Sequence, residues 1–167
     1  IEVVVERLDI KKVVFEQVEK HRKPGSLITS NTSGIPIHLM MDGRSDDFNA
    51  NFCGTHFFNP PRYLKLLVHI PTTQTNPEVV DFLMNYGDQY LGKTTVLAKD
   101  TPGFIVNRVA RPFYSEAIKL YEEGVADIPT IDWALKSIGG FRMGPFELTD
   151  LIGHDVNYVV TETVWSQ

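Results

Sequence analysis

The segment Asp100-Thr101-Pro102-Gly103-Phe104-Ile105-Val106-Asn107-Arg108 decides how the chain is read, because the character of the sequence changes across it. Before it, β-branched runs alternate with stretches of helical spacing. From Pro102 onward only helical periodicities remain, punctuated by Gly124, Pro129 and Gly139-Gly140. The pattern predicts an α/β unit over residues 1–99 and an all-helical unit over residues 100–167.

Working back from Asp100, Thr94 to Ala98 reads as a strand. Asn76-Pro77-Glu78 opens a helix in which Val79, Leu83, Tyr86 and Tyr90 form one apolar stripe, stopped by Gly92. Phe52 to Phe58 and Tyr63 to Ile70 are strand-like, and the Asn59-Pro60-Pro61 break between them is too short for a helical crossover, so they are expected to pair antiparallel or to change direction at the sheet edge. At the start, Ile1 to Glu6 reads as a buried strand. Asp9 to Lys20 then places Ile10, Val13, Val14 and Val18 at helical spacing, and Leu27-Ile28-Thr29 follows the turn Lys23-Pro24-Gly25 as a second strand. Two successive β-α steps predict a parallel sheet with crossover helices. Beyond Asn107, Ile131, Leu135 and Ile138 mark one apolar helical face, and Phe146 to about Trp165 reads as one further helix.

The 167 residues are 43% hydrophobic and 22% charged, an ordinary globular composition. A net charge of -5 without a block of Lys or Arg offers no electrostatic footprint for nucleic acid or an anionic membrane surface. Cys53 is the one cysteine, which excludes an internal disulfide and points to a reducing compartment, the cytoplasm. No apolar run is long enough to predict a membrane span. The chain opens on Ile1 within a strand-like run and without an initiator methionine, so an internal piece of a longer polypeptide is expected.

His56 lies in Gly54-Thr55-His56-Phe57-Phe58-Asn59-Pro60-Pro61, at the end of a strand where an open α/β sheet presents ligands. A neutral imidazole there can take a hydroxyl proton while hydride leaves the same carbon. A histidine packed between strand and loop would look the same in sequence. Ser33 ends the Ser30-Asn31-Thr32-Ser33 segment just past another strand, where its hydroxyl could bind a substrate oxygen or a cofactor amide, although such clusters also serve as plain turns. Asn107 and Arg108 sit at the junction of the two units, suited to an amide or phosphate contact or to simple solvent exposure. Glu6 and Lys11 flank the loop after the first strand. His21, His38, His69 and His154 lack metal-ligand spacing, and no metal is expected.

Taken together, Ile1-Glu2-Val3-Val4-Val5-Glu6, Ser30-Asn31-Thr32-Ser33, His56-Phe57-Phe58-Asn59-Pro60, the Asp100 to Arg108 segment and Met143-Gly144-Pro145-Phe146-Glu147-Leu148 resemble the 3-hydroxyacyl-CoA dehydrogenase family in order and spacing. The resemblance spans essentially the whole chain. Phe141 to Glu162 looks most like bacterial and archaeal members, some of which are fused to an enoyl-CoA hydratase module. The resemblance implies the C-terminal part of a Rossmann-type NAD-binding domain, followed by a truncated helical domain that closes the substrate cleft and usually forms the homodimer contact. It implies oxidation of an (S)-3-hydroxyacyl-CoA thioester to the 3-ketoacyl-CoA with NAD, in fatty acid beta-oxidation. By motif match His56 is the general acid/base, Ser33 and Asn107 position the 3-oxygen, and Asn59 helps hold substrate and nicotinamide. Glu6, Lys11 and Ser33 match positions that touch NAD.

Two departures stand out. The family's first strand and glycine-rich turn belong before Ile1, so this stretch alone is expected to bind NAD poorly. The family also pairs its histidine with a glutamate on the following strand, and counting through Lys65-Leu66-Leu67 puts Val68 at that position. His69 points to the opposite face of a regular strand. Val68 keeps open a dehydrogenase-derived protein that holds acyl-CoA, or serves structurally, without efficient turnover. A β-hydroxyacid dehydrogenase with a lysine acid/base is disfavoured by His56-Phe57-Phe58-Asn59-Pro60.

Overall fold

Four strands, β1 (Ile28–Ser30), β2 (Phe52–Phe57), β3 (Leu66–Ile70) and β4 (Thr94–Leu97), lie in that order in one sheet of the computed structural model, which describes residues 1–165. β1 and β2 run parallel, β2 and β3 antiparallel, β3 and β4 parallel. The one antiparallel step falls at the proline-rich break that leaves no room for a crossover.

The first residues depart from the predicted strand. Glu2 alone bridges to Ser30, with its N–H donating to Thr29 O at 2.7 Å and its carbonyl accepting from Asn31 N at 2.9 Å. β1 has three residues, so the ladder runs out, and Ile1, Val3 and Val5 stay exposed.

Helix α1 (Leu8–His21), a 3₁₀ turn at Ile37–Met40 and the short α2 (Asp46–Ala50) cover one face of the sheet. Phe15 of α1 meets Phe48 and Phe52 with ring centroids 5.8 and 5.0 Å away, and Ile28, Ile37, Met40, Val68 and Ile70 close the core around them. Edge-to-face aromatic packing of this kind adds to the area it buries. Gly54 is required there: a Cβ would stand 2.7 Å from Ile37 Cδ1 and 3.0 Å from Ile70 Cβ. Helix α3 (Pro77–Gln89) packs on the other face, where a Cβ on Gly87 would lie 2.5 Å from Thr95 Cγ2. Pro at the first helical position starts α3, but Asn76 makes no side-chain cap.

The first compact unit extends to Phe104. Asp100 accepts from Ile37 N at 2.6 Å and His38 N at 2.9 Å, Gly103 N donates to Gly34 O at 3.3 Å, and Phe104 is buried in the core. These bonds tie residues 100–104 to the sheet unit although their sequence reads as the start of the helical one.

The second unit contains α4 (Val106–Glu122), α5 (Ile128–Ser137), α6 (Pro145–Ile152) and α7 (His154–Trp165). The stretch predicted as one helix from Phe146 is two, because Gly153 takes φ 97 and ends α6. Asp132 of α5 accepts from Phe146 N at 3.0 Å and Glu147 N at 2.9 Å, capping α6, while Glu147 accepts from Gly144 N at 3.3 Å and Lys136 Nζ at 2.9 Å. A Cβ at Gly144 would lie 2.3 Å from the Asp132 carboxylate. The Gly144-Pro145-Phe146-Glu147 motif is therefore a helix-start device, with glycine for the close approach and proline at the first turn. No helix among the described residues is long and apolar enough to cross a membrane.

Candidate functional site

β2 delivers His56 to its carboxyl-terminal end, one residue before the strand stops at Phe57. The imidazole is 5% exposed and sits against the rings of Phe58, at 4.3 Å, and Phe104, at 6.0 Å. Burial among these apolar rings pushes its pKa down to about 4, with the Glu6 charge pulling it partly back. At neutral pH the ring is unprotonated and ready to accept a proton. It is also a weaker base than the ordinary imidazole, which lies nearer the value that suits a catalytic base.

The strand register puts an apolar residue where a carboxylate could have offset that burial. Val68 of β3 stands directly across from His56 in the antiparallel pair, so both side chains share a face and a carboxylate at 68 would reach the ring. Val68 has no exposure and belongs to the apolar core. His69 pairs with Thr55 on the other face, 1% exposed, and both of its ring nitrogens lack a hydrogen-bond partner among the described residues. It cannot stand in for the carboxylate.

Beside the end of β1, Glu6 gathers the Ser33 segment. Its Oε1 accepts from Thr32 Oγ1 at 2.5 Å, Ser33 N at 2.8 Å and Gly34 N at 3.0 Å. Thr32 Oγ1 in turn accepts from Ile35 N at 3.1 Å, a local turn that the Ser-Asn-Thr-Ser composition suggests. Lys11 lies behind Glu6 and is 1% exposed. Its Nζ donates to Glu2 at 2.9 and 3.1 Å and to Val4 O at 3.2 Å, and pairs with Glu6 Oε2 at 3.4 Å. Ser30 Oγ completes the cluster, donating to Glu2 at 2.6 Å. Of the residues matched to cofactor contact, Glu6 and Ser33 are thus brought together, whereas Lys11 turns inward and spends its charge on two carboxylates.

Asn59 is exposed in the loop after β2. Asn107 lies in the first turn of α4, where its carbonyl accepts from Arg111 Nε at 3.1 Å, and Arg108 beside it is exposed. Two residues emerge that sequence reasoning did not single out. Asn31 Oδ1 accepts from Phe57 N at 2.8 Å, fixing the strand end that carries His56, and Glu2 is the hub of the buried ion cluster. Asn31 belongs to the quoted polar segment, but its reach to another strand is not a local property. Cys53 is buried with its thiol pushed up to about 12 by desolvation, which makes it unreactive. Among the described residues no group of three His, Cys, Asp or Glu side chains is placed to hold a metal ion.

Residues 1–101 match the NAD binding domain of 3-hydroxyacyl-CoA dehydrogenase, and residues 103–167 match its C-terminal domain. The chain is 44% identical to a probable 3-hydroxyacyl-CoA dehydrogenase of Bacillus subtilis, over 100% of this chain and 21% of that protein. It is 45% identical to the 3-hydroxyadipyl-CoA dehydrogenase of Escherichia coli, over 99% of this chain and 34% of the relative. The crystal structure of M. tuberculosis FadB2 superposes with a TM-score of 0.93 at 30% identity, over 99% of this chain and 57% of that one. The chain spans about half the length, or less, of the curated relatives it matches.

Proposed function

The chain belongs to the 3-hydroxyacyl-CoA dehydrogenase family, and we propose that it supplies the proton-handling part of an enzyme that oxidises (S)-3-hydroxyacyl-CoA thioesters to 3-ketoacyl-CoA in fatty acid beta-oxidation. The observation that carries this reading is His56: a buried, neutral imidazole at the carboxyl end of a sheet strand, in a motif that matches the family's acid/base.

The residues present fit the nicotinamide end of NAD. Glu6 folds the Ser33 segment into a polar turn at the end of β1, in the crevice position where open α/β sheets take ligands, and the buried Lys11 and Glu2 hold Glu6 in place. NAD held there would supply the acceptor for the hydride of the substrate's C3. His56 takes the hydroxyl proton in oxidation and returns it in reduction. Ser33 and Asn107 hydrogen-bond the 3-oxygen and so hold C3 in one orientation, and Asn59 helps to hold substrate and nicotinamide. Lys11 acts on the cofactor through Glu6. Phe58 and Phe104, packed on the imidazole, keep water from it.

The whole protein is a homodimer in this reading, and it acts in the cytoplasm, where the free Cys53 stays reduced. Fusion to an enoyl-CoA hydratase fits the much greater length of the Bacillus subtilis relative. The test is reduction of acetoacetyl-CoA by the full-length enzyme, followed as loss of NADH absorbance. His56→Gln should abolish turnover while thioester binding persists; near-normal turnover in that variant would refute the assignment. A non-catalytic acyl-CoA binder rests on Val68 alone, and an inactive parent enzyme in the same assay would establish it.

A further inference from the structure

Arg111 is a buried cation with no anion beside it among the described residues. It lies on α4, one helical turn after Asn107, and is 9% exposed. Its Nη1 donates to Asn157 Oδ1 at 2.7 Å, Asn157 O at 3.2 Å and Thr161 Oγ1 at 2.7 Å, all on α7, and its Nε donates to Asn107 O at 3.1 Å. Every one of these acceptors is a neutral oxygen. The Tyr114 ring stacks against the guanidinium with Cζ 5.0 Å from its centroid, and Arg111 forms no ion pair among the described residues. Burial lowers its pKa, and no carboxylate stands among the causes acting on it.

A charge withdrawn from water is held at a cost of several kcal/mol unless a counter-charge meets it. Three of the five N–H donors of a guanidinium sit on the two nitrogens already used, and the remaining pair belongs to Nη2. Nη2 makes no hydrogen bond among the described residues, which leaves its two N–H groups to a ligand in the proposal that follows. The i, i+4 relation puts Arg111 on the same face of α4 as Asn107, with about 5–6 Å between their Cβ atoms.

We propose that Arg111 is a specificity-determining residue: its Nη2 edge receives a carboxylate at the far end of the substrate's acyl chain, so that the enzyme favours ω-carboxylated 3-hydroxyacyl-CoA thioesters. This rests on the reading in which Asn107 holds the 3-oxygen. In a six-carbon chain the terminal carboxylate lies three bonds beyond C3, which suits the one-turn offset between the two side chains. The fixed guanidinium needs little reorganisation, because α7 already holds Nη1 and the Asn107 carbonyl holds Nε. A fork so fixed binds a planar carboxylate with charge-assisted hydrogen bonds and rejects a methyl terminus, which leaves the cation unmatched.

The experiment compares two six-carbon (S)-3-hydroxyacyl-CoA thioesters, one ending in a carboxylate and one in a methyl group, with the full-length enzyme. Wild type should show kcat/KM higher for the carboxylated substrate by roughly tenfold to hundredfold. Arg111→Met should remove that preference and leave the methyl-ended substrate within about threefold, an effect on KM more than on kcat. Equal use of the two substrates by wild type overturns the proposal without any variant being needed. Equal losses on both in Arg111→Met, the result for a CoA phosphate contact or a purely structural arginine, also overturn it. Wild-type enzyme that oxidises neither thioester would instead sink the dehydrogenase reading, and this inference with it.

Discussion

Val68→Glu in the full-length enzyme should raise the rate of acetoacetyl-CoA reduction while lowering stability. Residues 56 and 68 are direct cross-strand partners, a relation that places their Cβ atoms about 4.5–5.5 Å apart, within reach of a glutamate carboxylate and an imidazole. With the pKa of His56 pushed down to about 4, only about one ring in a thousand carries a proton at pH 7. Reduction needs that proton, because the imidazolium must protonate the developing alkoxide. A hydrogen bond to a charged group is worth about 1.5–3 kcal/mol, equivalent to one to two pKa units, so turnover near neutrality should rise roughly tenfold to hundredfold. The lower pH limb for oxidation should move upward by the same interval, since the base must then lose its proton at higher pH. Val68 is fully buried in the apolar core, and the larger, charged side chain should cost about 1–3 kcal/mol. Val68→Gln supplies nearly the same volume and an acceptor without the charge, and should recover only part of the gain. Rates measured from pH 5 to 9, with urea melts of each variant, separate the effects. A folded Val68→Glu enzyme with unchanged turnover and an unchanged pH profile would refute the argument.

Lys11→Met should destabilise the protein by about 3–5 kcal/mol, because it leaves Glu2, and in part Glu6, without the buried cation; a urea midpoint close to wild type would count against that cluster. His69→Leu should stabilise by about 1 kcal/mol or more, since it removes two buried nitrogens that have no partner; a lower thermal midpoint would show that the imidazole has a use this geometry does not reveal. Both buried histidines have depressed folded pKa values, so their contribution to stability is present above the unfolded value near 6.5 and is lost as pH falls toward the folded one. For His56 the window runs from about 6.5 down to about 4 and carries roughly 3 kcal/mol. His56→Gln should flatten that part of a stability curve measured by urea titration, and an unchanged slope would place the acid sensitivity elsewhere.

Much of the architecture was legible in the linear chain, because it depends on local physics. The β-branched runs, the apolar stripe of α3 and the prolines at helix starts each express a preference that neighbouring residues set. The His56 and Ser33 motifs could be placed at strand ends for the same reason. Local rules failed where partners decide. The predicted first strand shrank to a bridge at Glu2 because β1 offers three residues to pair with, and residues 100–104 joined the first unit through the bonds of Asp100 to Ile37 and His38. Lys11 matches a cofactor-contact position by motif, and only the folded chain shows it buried between Glu2 and Glu6.

The sequence by itself determined the family, the order of the elements and the identity of the candidate acid/base, because these follow from residue type and spacing. Counting along the strand even pointed to Val68. Only the tertiary structure decided what surrounds each group: that Val68 of β3 faces His56 of β2, that Asn31 pins the end of β2, and that Arg111 lies buried without a counter-charge among the described residues. Proton affinity and charge balance depend on distance and solvent, and residues far apart in the chain acquire both only when it folds.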